Sequence, residues 1–208
     1  MNSKRYAGIL ILIFALVMVS GCARMETRVE QTVRGTQVKT GSYNIDISDE
    51  YKYLGNMSNS DMVQDSFNRV RDSNVKIENH VFVKGVSVSE GILVQVSSLH
   101  PQWIYNTEVD FDYLIRKGVV QHGRKNNLPY VIQKFNKSEK LFLQLVKFAS
   151  EKGHIYNDKQ YVYVLIQGRN SGRGKRFFVY YLRGFENLPT DAGRETYRSA
   201  NIAFTMTK

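Results

Sequence analysis

"Tyr161-Val162-Tyr163-Val164-Leu165-Ile166" and "Phe177-Phe178-Val179-Tyr180-Tyr181-Leu182" are two six-residue runs with no polar position in either. Successive side chains of a strand point to opposite faces, so such a run is apolar on both. A strand of that kind lies in the middle of a sheet that is covered on both sides. β-branched and aromatic residues favour the same state. The connection between the runs, Gly168-Arg169-Asn170-Ser171-Gly172-Arg173-Gly174-Lys175-Arg176, is polar and glycine-rich. Two strands joined in this way predict a long antiparallel hairpin at the heart of the fold.

The pattern extends outward on both sides. Toward the C-terminus, Thr190 to Ser199 reads as a helix after Pro189, and Ile202 to Met206 as a closing strand. On the N-terminal side, Ser138 to Lys152 is the best-formed helix. Leu141, Phe142, Leu145, Val146, Phe148 and Ala149 make one apolar face, Ser138 is placed to cap it and Gly153 to end it. Tyr130 to Phe135 predicts a short strand, and Glu108 to Lys117 a helix more than a strand. His100-Pro101-Gln102-Trp103 reads as a loop, and Gly91 to Ser97 and Val75 to Lys84 as strands. Ser60 to Asp72 has helical spacing in Met62, Val63, Phe67 and Val70, and Ser42 to Leu54 looks extended throughout. The expected class is α+β, a largely antiparallel sheet of about five to seven strands with two to four helices.

The front of the chain has a different character. Lys4 and Arg5 precede an apolar run from Ala7 to Val19, and then come Ser20, Gly21 and Cys22, the only cysteine in 208 residues. A charged start, an apolar middle and small residues make the layout of an export signal. Thirteen residues at about 1.5 Å each give roughly 20 Å, short of the roughly 30 Å hydrocarbon core a spanning helix must cross. Val19-Ser20-Gly21-Cys22 resembles the bacterial lipobox, with valine where leucine is usual. The resemblance covers about 22 residues. It implies cleavage between Gly21 and Cys22 and lipidation of the Cys22 thiol. Two or more acyl chains on one residue meet the requirement for stable anchoring. Ala23, rather than aspartate, implies sorting to the cell outer membrane, with the domain on its periplasmic or outer surface.

The expected organisation is therefore a signal peptide over 1–21, a lipid-anchored tether over 22–41 and a single α+β domain over 42–208. Val29, Thr32, Val33 and Val38 also suit an edge strand. A mature chain without a second thiol excludes disulfides and cysteine metal sites within it.

The chain carries 29 Lys and Arg against 19 Asp and Glu, net +10. Residues 23–115 hold nine basic against thirteen acidic side chains, and residues 116–208 hold eighteen against six. This predicts an acidic and a basic face if the halves segregate, and mixed charge if they interleave in one sheet. A basic face points to anionic partners, a lipid headgroup, lipopolysaccharide or glycan, or an acidic envelope protein. Nucleic acid is not expected.

No motif carries a reaction. The 168–176 segment has Arg169 where a phosphate loop needs its first glycine, four intervening residues before Gly174-Lys175. Lys175 is followed by Arg176 rather than a hydroxyl. It reads as a solvated hairpin tip, with Arg169, Arg173, Lys175 and Arg176 as a candidate anion contact. His80, His100, His122 and His154 show no metal-ligand spacing, so neither a metal nor another cofactor is expected. Asn170-Ser171-Gly172 is no nucleophile elbow. Glu108, Asp110 and Asp112 alternate and would share one face of a strand. The basic run from Arg116 to Lys140 reads chiefly as the wet side of strands. The expectation is a non-catalytic envelope lipoprotein, an accessory or structural subunit of an envelope assembly. An anionic-ligand module is the alternative, and a hydrolase ranks below both.

Overall fold

A computed structural model describes residues 27–57, 75–99, 104–105, 108–116, 119–157, 160–172 and 174–208. The signal region with Gly21 and Cys22, the helix expected over 60–72, the 100–103 loop and Arg173 lie outside the described residues. In chain order the elements are β1 (Arg28–Thr32), β2 (Gly35–Thr40), β3 (Tyr43–Ser48), β4 (Tyr51–Asn56), β5 (Val75–Lys84), β6 (Ser87–Val88) and β7 (Glu90–Leu99). Then come α1 (Phe111–Arg116), β8 (Gln121–Lys125), β9 (Leu128–Lys134), α2 (Lys140–Glu151), β10 (Ile155–Tyr156), β11 (Tyr161–Gly172), β12 (Lys175–Phe185), α3 (Ala192–Ala203) and β13 (Phe204–Thr207).

The architecture is mostly β and antiparallel, with helices laid on it, roughly as an α+β class requires. Seven strands in the order β4-β5-β7-β12-β11-β9-β8 form the larger sheet, and β12 and β11 hold two of its central places. Both faces of these strands are covered, for the reason their composition demands. Tyr163, Leu165, Phe177, Val179 and Tyr181 pack against Val38, Ile45, Ile47 and Phe204 of a second sheet and Ala192 and Ala200 of α3. Val162, Val164, Ile166, Phe178, Tyr180 and Leu182 meet Phe111 of α1 and Phe142 of α2 on the other side. Phe177 and Leu165 are fully buried. Burying one such side chain is worth about 1.5–3 kcal/mol.

The second sheet, β1-β2-β3-β13, corrects two expectations. Ser42 to Leu54 is not one extended element. The chain turns at Asp49-Glu50 and passes from β3 in the smaller sheet to β4 in the larger. The tether expected over 22–41 gives way to a hairpin from Arg28 onward, with Val29 opposite Val38 and Val38 fully buried. The edge-strand alternative describes this segment better, because Val38 is buried and Val29 packs against the core between the sheets, while Val33 stays exposed.

The two halves of the chain interleave. β7 lies between β5 and β12, and β13 completes the sheet begun by β1 to β3. The charge contrast between halves therefore does not map onto two faces. The β11–β12 hairpin is longer than its apolar cores suggest. Pairing continues to Gly172 and Lys175 with an irregularity after Asn170, so polar residues 169–172 are strand rather than loop.

Candidate functional site

Of the four residues singled out at the hairpin tip, Arg169, Lys175 and Arg176 are described, and Arg169 and Arg176 stand on opposite faces. Arg169 is exposed and pairs across the hairpin with Phe177, whereas Arg176 pairs with Asn170, one position along and so on the opposite face. Arg176 is buried. Its Nε donates to Asn170 Oδ1 at 2.8 Å, and its guanidinium lies 4.2 Å from the centre of the Tyr105 ring. The Tyr105 hydroxyl in turn donates to Ser97 Oγ at 2.8 Å. This stack holds the 104–105 segment on the sheet. Lys175 is half-buried.

The other residues considered for chemistry are also dispersed. His80 is buried on the larger sheet with Nδ1 3.0 Å from the Tyr53 hydroxyl, and burial lowers its pKa. His154 Nδ1 is 2.9 Å from the Gly85 carbonyl, and His122 is exposed. Glu108, Asp110 and Asp112 are exposed around the start of α1 rather than aligned on a strand. Among the described residues no group of three His, Cys, Asp or Glu side chains is placed to hold a metal ion. The basic run divides as well. Lys134 lies over the Tyr161 ring, Arg124 Nη2 donates to the Asn127 carbonyl, and Lys125 is buried.

The densest polar cluster is one that sequence reasoning missed. Glu90 on β7 stands directly opposite Lys84 and Arg183, and Lys84 opposite Tyr51, so a row of side chains crosses four strands. Glu90 Oε2 accepts from the Tyr51 hydroxyl at 2.6 Å and from the Tyr181 hydroxyl at 2.9 Å. Its Oε1 accepts from Arg183 Nη1 at 3.1 Å, and the same nitrogen donates to Ser199 Oγ on α3. Burial is the main reason that both phenols resist ionisation, and the neighbouring carboxylate adds to it. The cluster ties the larger sheet to α3, with both carboxylate oxygens engaged. Tyr181 and Arg183 share a strand face by spacing, but nothing local in the sequence brings Glu90 and Tyr51 to them.

Lys125 is a second missed feature. It ends β8 just before Asn126 and Asn127, whose φ angles of 51° and 61° make the tight turn that asparagine tolerates. The turn carries Lys125 into the core, where Nζ donates to the Phe204 carbonyl at 2.7 Å and sits 4.0 Å from the centre of the Phe204 ring. Burial lowers its pKa to about 8. The paired asparagines were the available signal.

A cavity of about 40 Å³ lies between α2 and the larger sheet, lined almost wholly by apolar groups including Phe142, Val146, Tyr156 and Leu182. An open groove of about 610 Å³ runs past Val33, Gln37, Asp46 and Ile202. In that groove Gln37 Nε2 donates to Asp46 Oδ1 at 2.5 Å.

Among the described residues, no helix is long and apolar enough to cross a membrane. These features define a class, a largely antiparallel sheet domain with both faces of its central strands covered. Comparison with protein-family models, with curated proteins and with solved structures finds no match.

Proposed function

We propose that this chain is an outer-membrane lipoprotein, anchored through Cys22, whose domain binds rather than reacts, as an accessory or structural subunit of an envelope assembly. The anchor rests on Val19-Ser20-Gly21-Cys22 and the apolar run before it. The binding role rests on one observation above the others. Glu90, the carboxylate at the centre of the densest polar cluster, has both oxygens held by two phenols and a guanidinium. These hydrogen bonds join sheet and helix, which gives the cluster a part in holding the fold together. Lys125 is likewise committed to the Phe204 carbonyl.

Crosslinking of the native lipoprotein in intact cells, followed by its purification, tests this reading. A defined protein partner recovered with it is the expected result. Recovery with lipid or glycan alone, lost in high salt, would replace the assembly role with an anionic-ligand module.

A further inference from the structure

Three parts of the chain meet at one end of the domain. Gly41 and Ser42, in the turn between β2 and β3, sit against the end of β11, where Ser42 N donates to the Ser171 carbonyl at 3.2 Å. Arg28, at the start of β1, pairs with Lys39 beside that turn. Thr207, at the end of β13, pairs with Asn44 just after it. The first described residues, Lys208 and the paired ends of β11 and β12 therefore share this end. It carries the cations Arg28, Lys39, Lys76, Arg169 and Lys175. Lys76 and Lys175 both stand opposite Ser98 on neighbouring strands. Of the acidic residues there, Glu30 and Glu78 are bridged by Lys39 and Lys76, and Glu108 lies near Arg176. Arg28, Arg169 and Lys208 are exposed.

We propose that this end of the domain rests on an anionic phospholipid surface, with Arg28 and Arg169 facing the headgroups. The inference rests on the lipid anchor at Cys22 proposed above. Five residue steps from Cys22 to Thr27 span at most about 17 Å. The twelve-residue strand β11 runs about 40 Å along the domain. A link less than half the length of the domain keeps the end from which it leaves nearest the bilayer. Attraction of lysine and arginine to anionic headgroups acts within about a Debye length, roughly 8 Å at physiological salt, so proximity is what lets these cations count.

The test uses the acylated chain purified from membranes and reconstituted in phosphatidylcholine vesicles with and without phosphatidylglycerol. With Cys22 acylated, one introduced cysteine is the only free thiol. Ser42→Cys puts a fluorophore at the cationic end, and Asn187→Cys puts one just past β12 at the opposite end. Nitroxide-headgroup lipid serves as quencher. The label at 42 is expected to be quenched several-fold more than the label at 187 on phosphatidylglycerol vesicles. The contrast should shrink in high salt and in an Arg28→Glu, Arg169→Glu variant whose urea midpoint matches the parent. Equal quenching at both positions, stronger quenching at 187, or a contrast indifferent to phosphatidylglycerol and salt would overturn the proposal while leaving the anchor intact. An intact mass without acyl chains would remove both.

Discussion

Glu90 shows how one side chain can join parts of the chain that sequence keeps far apart. Its side chain is 16% exposed and its partner Arg183 24%, whereas the Lys39–Glu30 pair on the outer face of the smaller sheet is 42% and 44% exposed. Removing one partner of a shielded pair leaves the other charge uncompensated, while exposed pairs contribute little. Glu90→Gln is therefore expected to lower unfolding stability in urea by about 2–3 kcal/mol, and Glu30→Gln by less than about 0.5 kcal/mol. A similar small loss for both would contradict the structural role given to Glu90. Lys125 makes a prediction in pH. Its folded pKa is about 8 against an ordinary 10.5, so between those values the unfolded chain binds more protons and stability rises with pH. The tyrosines oppose this only near pH 10 and above, where unfolded phenols ionise and buried Tyr51 and Tyr181 do not. Urea midpoints are expected to climb from pH 8 to 9.5 in the parent and to stay level in Lys125→Met. Neither residue's role was legible in the sequence. Lys125 read as part of a solvated basic run, because burial of a cation depends on a turn whose direction only the assembled sheet determines.

The elements were legible in proportion to how much of their pattern is local. β11, β12, β5, β7 and α2 declare themselves by unbroken apolar runs or by helical spacing. β8 has no apolar run at all, and its pairing with β9 depends on the Asn126-Asn127 turn. The capping residues divide in the same way. Ser138 was expected to cap α2, yet its hydroxyl donates to Asn136 Oδ1, and Glu139 occupies the cap position without a side-chain capping bond to the helix. In α3, Asp191 Oδ1 accepts from Arg194 N at 3.0 Å. Asp191→Ala is expected to cost about 1 kcal/mol, while Ser138→Ala should leave the urea midpoint nearly unchanged. Gly41 is the more exacting position. Its φ is +56°, and a Cβ there would lie 2.0 Å from the Ser171 carbonyl oxygen. Gly41→Ala is expected to push the β2–β3 turn off the end of β11 and lower the thermal midpoint by several degrees. Faster hydrogen exchange at Ser42 N should accompany it. An unchanged midpoint and exchange rate would show that this contact does not hold the two sheets together.

At the scale of the molecule, the central hairpin gave the correct instruction: a sheet covered on both sides. What the sequence did not disclose was that the cover on one side is a second sheet built from the two ends of the chain. That pairing of β3 with β13 spans about three-quarters of the sequence, and no local signal registers contacts of such separation. The same interleaving dissolved the acidic and basic halves into one molecule. Anchor and orientation both depend on Cys22. Intact mass of the mature protein taken from cell membranes addresses it directly, with a Cys22→Ala chain fractionated alongside. The expected result is a chain that begins at Cys22, carries the added mass of acyl chains and loses its membrane association in the variant. An unacylated mass, or a Cys22→Ala protein that stays with the membranes, would contradict the lipoprotein assignment.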